Sequence, residues 1–191
     1  MKLGVLGGTF DPPHVGHLVL AQRAREQLAL DRVVWVPAGE PWRKAGRPVT
    51  PAEHRLALVR LAAADEPAFE VSTVEVERPG PSYSVDTLAE LARRAPGAEL
   101  FLLLGRDALE DLPNWHDPER LVTLATLAVA GRGEGEPGPG LPAGALVVSV
   151  EMPRIDVSAT ELRERAARGL SLRYLVPDPV ATYIQEQGLY R

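Results

Sequence analysis

Short, continuously apolar runs separated by longer amphipathic stretches recur along this chain, and the alternation predicts strands and helices taking turns. Lys2 to Leu6 is such a run, ended by Gly7-Gly8, and reads as a strand feeding a tight loop. Over Val15 to Leu28 the residues Leu20, Ala21, Ala24 and Leu28 share one helical face, with Arg23 and Glu26 opposite. Val33-Val34-Trp35-Val36 is apolar throughout, the pattern of a strand covered on both faces of a parallel sheet. Thr50-Pro51-Ala52-Glu53 has the form of a capping box with proline at the first helical position, so a helix is expected from Pro51 to about Ala64, with His54 on its surface. Phe69 to Glu77 alternates as a strand with Glu75 and Glu77 outward. Ser84 reads as the N-cap of a helix ending near Arg94. Strands follow at Glu99 to Leu104, Leu124 to Ala130 and Ala145 to Val150. Ser158 and Glu161 open another helix, and a short last one is led by Asp178 and stopped by Gly188. The sum is an α/β fold: a doubly wound, mostly parallel, Rossmann-like sheet with a short C-terminal helical segment, expected as one domain over residues 1–191.

Composition narrows the class. Hydrophobic residues make up 45% and charged residues 25% of 191, which is globular. A net charge of −5 advertises no basic face, so nucleic acid is not an expected partner and any phosphate site must be local. With no cysteine, disulfides, thiolate zinc sites and thiol nucleophiles are all excluded. No run of eighteen apolar residues occurs and the N-terminus lacks a signal-like apolar region, so no membrane span is expected and the cytoplasm is the expected location.

The candidate chemistry begins where the first strand ends. Glycines let backbone approach a ligand closely, and the free N–H groups of a helix's first turn favour an anion. Gly7-Gly8-Thr9-Phe10-Asp11-Pro12-Pro13-His14-Val15-Gly16-His17 supplies both features. It is not a Walker A loop, since no Lys-Ser or Lys-Thr follows Gly16, and it lacks the three spaced glycines of the dinucleotide fingerprint. His14 and His17, three apart, project from nearly one side of a helix start and offer N–H donors or partial positive charge to a phosphoryl group.

The stretch from Gly8 to His17 resembles the nucleotidyltransferase signature, in which the His-x-Gly-His pair handles the α-phosphate of a nucleoside triphosphate. Further segments are similar to bacterial nicotinate mononucleotide adenylyltransferases. Pro81 to Leu88 resembles their Pro-Ser-Tyr-Thr-x-Asp-Thr-Leu motif, with Ser84 where Thr is usual. Gly105-Arg106-Asp107 and Leu112-Pro113-Asn114-Trp115-His116 match their Gly-x-Asp and Leu-Pro-x-Trp-His pair. Ile155 to Arg163 resembles Ile-Ser-Ser-Thr-x-Ile-Arg, with Val157 for Ile and Ala159 for the second Ser. The resemblance runs from Lys2 to Arg191 and implies a nucleotidyltransferase fold.

The resemblance also implies an activity: transfer of the adenylyl group of ATP to nicotinate mononucleotide, giving deamido-NAD and pyrophosphate in NAD biosynthesis. It implies catalytic roles for His14, His17, Lys44 and Arg163, and ATP contacts from Gly7, Gly8, Thr9, Phe10, His17, Gly105, Asp107, Arg132, Ser158, Thr160 and Arg163. The mononucleotide would meet Thr9, Lys44, Tyr83, Ser84 and Trp115, with Trp115 on the pyridine ring and amides near Ser84 on its carboxylate. Mg²⁺ would arrive on ATP, since no carboxylate cluster suggests a dedicated cage. Homo-oligomerisation is left open. Gly8 to His17 alone suits sister enzymes acting on nicotinamide mononucleotide or phosphopantetheine, and Pro81 to Leu88 with Leu112 to His116 separates them. A non-catalytic nucleotide-binding module is the other alternative, against which the intact histidine pair speaks.

Overall fold

Every strand of the sheet runs the same way. In this computed structural model, which describes residues 1–42, 46, 48–131 and 140–191, they are β1 (Lys2–Gly8), β2 (Arg32–Pro37), β3 (Phe69–Val71), β4 (Glu99–Leu104), β5 (Thr126–Gly131) and β6 (Val147–Glu151). They pair in parallel in the order β3-β2-β1-β4-β5-β6. The order turns around between β1 and β4, so the crevice at the switch point opens beyond the carboxyl ends of those two strands. Lys44 and Arg132 lie outside the described residues.

Eight α-helices are described: α1 (Val15–Leu28), α2 (Ala52–Ala63), α3 (Val74–Glu77), α4 (Ser84–Arg94), α5 (Arg106–Asp111), α6 (Pro118–Leu124), α7 (Ala159–Ala167) and α8 (Asp178–Glu186). Strand residues alternate between two cores. Val34, Val36, Leu102 and Leu104 pack with Leu88, Leu91 and Leu121 from α4 and α6. Val33, Trp35, Phe101 and Leu103 pack on the other face with Leu20, Ala21 and Ala24 of α1 and Val59 of α2. Both faces are covered, which is why β2 and β4 carry unbroken apolar runs. A third cluster joins Leu58 of α2 and Leu162 of α7 to Leu172, Val176, Val180 and Ile184, and so brings the C-terminal segment up behind the turn after β1.

Several local expectations give way to tertiary contacts. The strand expected over Phe69 to Glu77 stops at Val71, and α3 turns Glu75 inward to 6% exposure. The backbone of Glu75 there presses on Gly39, where any Cβ would collide with the Glu75 carbonyl. Thr50 forms no cap on α2: its N–H donates to Asp11 Oδ2 and its carbonyl accepts from Arg55 Nε. His54 is half-buried, its Nδ1 2.9 Å from the Tyr183 hydroxyl of α8. Ser84 is the first residue of α4, with Tyr83 at the N-cap, and Pro177 occupies that place before α8. The helices α5 and α6 stand where no element is predicted from the apolar pattern.

Candidate active site

A cleft of about 840 Å³ opens at the switch point. Its volume suits a drug-sized or dinucleotide-sized ligand. The turn after β1 forms one wall, contributing Gly7, Gly8, Thr9, His14 and His17. Opposite stand Trp42, Ser82, Tyr83, Ser84, Trp115 and His116. The third side is built from Gly105 and Asp107 after β4, Ala130 at the end of β5, and Ile155 and Ser158 before α7.

The histidine pair is assembled by the helix start. His14 is the extended N-cap of α1 (φ −144°, ψ 172°) and not a helical residue, yet its ring centroid lies 3.8 Å from that of His17. Its backbone N–H donates to His17 Nδ1 at 3.2 Å. An accepting Nδ1 puts the proton of a neutral His17 on Nε2. Gly16 lets the His14 ring lie flat on the turn, since a Cβ there would sit 3.1 Å from ring atoms. Burial holds the His14 imidazole down at about 4 from an ordinary 6.5, so it is neutral at pH 7. His14 thus offers an N–H or a lone pair and not the positive charge allowed for in the sequence analysis. Beneath them Phe10 is 3% exposed, its ring edge-on to His17 at 5.1 Å and tilted against Trp35 at 5.4 Å. Its side chain supports the wall from within, and no ring contact to a ligand is available to it.

The helix-start anion site is narrower than the sequence suggests. Val15 N–H donates to the Leu175 carbonyl at 3.0 Å and His17 N–H to His14 O at 2.9 Å, so the first turn of α1 has already spent two donors. The α7 start keeps Ser158 at the cleft as N-cap, its hydroxyl accepting from Glu161 N–H at 3.2 Å. Thr160 and Arg163 do not line the cleft: Arg163 Nη1 donates to the Asp11 carbonyl at 2.9 Å and Nη2 to Thr160 Oγ1 at 3.3 Å. Arg106 is the one guanidinium among the described residues that line the cleft, and it lies so close to Gly131 that a Cβ there would be 2.8 Å from Nη2.

Aromatic side chains dominate the opposite wall. Tyr83 stacks on His116 at 4.1 Å between centroids and meets Trp42 edge-on at 5.7 Å. Trp115, half-buried, donates from Nε1 to Asp111 Oδ2 at 3.2 Å. Ser82 Oγ accepts from the N–H groups of Gly39 and Glu40, fastening the loop after β2 to the start of α4. Glu75 reaches the cleft under this wall, its carboxyl pushed up by burial and held by the Thr87 hydroxyl.

The structure therefore gathers Gly7, Gly8, Thr9, His14, His17, Tyr83, Ser84, Gly105, Asp107, Trp115 and Ser158 around one cleft. Phe10 is buried behind the wall, Thr160 and Arg163 follow Ser158 and Ala159 without lining the cleft, and Lys44 and Arg132 fall outside the described residues. Sequence reasoning missed Asp11 and Arg55, the groups that hold the turn. One signal was present: Arg55 stands at the head of the buried stripe Leu58, Val59 and Ala62 of α2, on the same helical face. Among the described residues no three His, Asp or Glu side chains gather to hold a metal, and no helix is long and apolar enough to cross a membrane.

The Cytidylyltransferase-like family matches residues 5–165 of the chain. A protein of Roseiflexus sp. named "Probable nicotinate-nucleotide adenylyltransferase" is 47% identical, with 99% of this chain and 98% of that one aligned. One of the same name from Thermus thermophilus is 47% identical with 100% of both aligned. Among solved structures, Plasmodium falciparum nicotinic acid mononucleotide adenylyltransferase complexed with NaAD superposes with a TM-score of 0.80 at 16% identity, covering 99% of this chain and 97% of that one.

Proposed function

The chain belongs to the nicotinate-nucleotide adenylyltransferases of the Cytidylyltransferase-like family, and from that membership and the cleft we propose that it joins nicotinate mononucleotide to the adenylyl group of ATP. The observation that carries the proposal is the histidine pair, 3.8 Å apart on one side of a single cleft whose other side is aromatic. One wall suits a triphosphate, the other a flat ring.

A phosphate monoester has its second pKa near 6, so at neutral pH the mononucleotide's oxygen is already ionised and needs no base. That oxygen attacks the α-phosphorus of ATP, a new P–O bond forms, the bond to the β-phosphate bridging oxygen breaks, and pyrophosphate leaves. Catalysis reduces to holding the two anions in line and stabilising charge as it develops. His17 donates from Nε2 to the α-phosphate, fixed in that tautomer by the His14 N–H. His14 supplies a neutral imidazole beside it. The Gly7-Gly8-Thr9 backbone admits the nucleotide, and the start of α7 at Ser158 faces the distal phosphates. Gly105 and Asp107 take the adenosine. Trp115 offers its face to the pyridine ring, and the first-turn amides of α4 beyond Ser84 receive the ring carboxylate. Mg²⁺ would arrive on the triphosphate and neutralise phosphate charge there.

The test offers ATP and Mg²⁺ with nicotinate mononucleotide, nicotinamide mononucleotide or phosphopantetheine and reads pyrophosphate release. The acid is expected to be turned over fastest. Equal or better use of the amide overturns the nicotinate assignment, and release with phosphopantetheine alone moves the chain to a sister activity.

A further inference from the structure

Asp11 stands inside the turn that carries the histidines, yet at 2% exposure its carboxylate faces away from the cleft. Three remote parts of the chain converge on it. Tyr190, next to the C-terminal residue and in a left-handed conformation (φ 64°), donates its hydroxyl to Oδ1 at 2.8 Å. Thr50 N–H donates to Oδ2 at 3.2 Å, and Arg163 Nη1 donates to the Asp11 carbonyl at 2.9 Å. Beside them Arg55, 1% exposed, spends its donors on the carbonyls of Thr9, Ala38, Gly39 and Thr50 at 2.5 to 3.0 Å. The Thr9 carbonyl thus hangs on a buried guanidinium whose burial is offset first by the charge of Asp11.

We propose that Tyr190 is a positioning residue for adenylyl transfer, its hydroxyl holding Asp11 so that the histidine turn keeps its place. The inference rests on the adenylyl-transfer reading. Its physical basis is competition inside a buried network. Without the tyrosine hydroxyl, Asp11 Oδ1 loses its donor away from water, and a carboxylate short of donors is drawn to a buried cation that already feels its charge, Arg55. Arg55 can follow only by loosening its hold on Thr9 and Gly39, and the shift of Asp11 carries Arg163 with it. The rings of the opposite wall rest on their own contacts, Tyr83 on His116 and Trp115 on Asp111, and only Ser82 ties that wall to Gly39, so binding of the mononucleotide ring is disturbed far less than turnover.

Tyr190→Phe removes one oxygen and keeps the ring in place. Its kcat is expected to fall about 10- to 100-fold, the range a displaced catalytic group produces, with KM for nicotinate mononucleotide within about twofold of wild type. Arg163→Lys and the double variant complete a cycle. Because Tyr190 and Arg163 hold the same residue, Asp11, by its carboxylate and its carbonyl, the double variant should be about as slow as the slower single one. Wild-type kcat in Tyr190→Phe, or fully additive losses in the double variant, overturns the inference. Should Tyr190→Phe fail to fold, Asp11→Asn reads the same junction from its other side: it keeps an acceptor for the tyrosine and sets an amide against Thr50 N–H. A fall in kcat at unchanged KM is expected there too, and wild-type kcat overturns the inference. A wild-type protein that makes no dinucleotide overturns the adenylyl-transfer reading and this inference with it, whereas an active wild type beside an equally active Tyr190→Phe overturns this inference alone.

Discussion

The two walls of the cleft are held by different physics. The wall after β1 is set by groups that water does not reach: Asp11 at 2%, Phe10 at 3% and Arg55 at 1% exposure, bound to backbone carbonyls and amides. The acceptor wall is set by half-buried and exposed rings resting on one another, Tyr83 on His116 and Trp42 against Tyr83. A buried hydrogen-bonded network tolerates little displacement, because each orphaned donor or acceptor costs about 1–3 kcal/mol. Ring stacks are worth about 0.5–1.5 kcal/mol and another flat ring can replace them. Phosphoryl transfer needs fixed donors, whereas ring recognition needs faces that can exchange partners. On the proposed function, each kind of support stands where its chemistry calls for it.

Breaking the first wall should cost the most. His17→Ala removes the donor proposed to meet the α-phosphate, and turnover is expected to fall about 10²- to 10³-fold, the usual effect of losing one preorganised donor. His17 is half-buried and sits at the third position of α1, so the fold should survive with an unchanged melting transition. Pyrophosphate release and a thermal melt on the same preparation check both halves. Near-normal turnover would return the non-catalytic nucleotide module to contention.

Loosening the second wall should cost less and show elsewhere. Trp115→Ala deletes the ring face while leaving the histidine turn untouched. KM for nicotinate mononucleotide should rise about tenfold with kcat within a few-fold, in line with the energy of one aromatic contact. Steady-state kinetics with the mononucleotide varied at saturating ATP gives the split. A loss confined to kcat would mean that the two walls are not separable.

The same contrast explains what was legible in the sequence. The elements α1 and β4 fall on the residues that their apolar patterns mark, and the histidine pair is announced by spacing within a single turn. Its supports are not announced, because they are made between distant residues: Tyr190 meets Asp11 across 179 positions and Arg55 meets Thr9 across 46. Thr50 and Glu53 carry the letters of a capping box, but Asp11 and Arg55 claim the Thr50 backbone from outside the helix. Phe69 to Glu77 alternates well enough for a strand, but beyond Val71 the close pass of Gly39 against Glu75 and the Thr87 hydroxyl on its carboxyl go with a turn of helix and a buried acid. The inward position of Phe10 is equally non-local, fixed by Trp35 of the next strand.

The smallest expected effect tests whether the first wall is dry before substrate arrives. Burial holds His14 at about 4 in the folded protein, against 6.5 for an imidazole in water. Between those values the unfolded chain carries a proton at this residue that the folded chain lacks. Stability therefore rises with pH across that window, and the contribution is lost as pH falls from about 6.5 to about 4. Denaturant melts of wild type and His14→Gln at intervals from pH 4 to 7 should differ in slope by less than one proton, the wild type being the steeper. Parallel slopes would mean that the ring is solvated and already able to charge. Filling the wall should reverse the sign, because a phosphate beside the imidazole favours its protonated form. Binding of a non-hydrolysable ATP analogue near pH 6 should then take up a fraction of a proton at His14, read by calorimetry in buffers of different ionisation enthalpy, and His14→Gln should take up less than wild type.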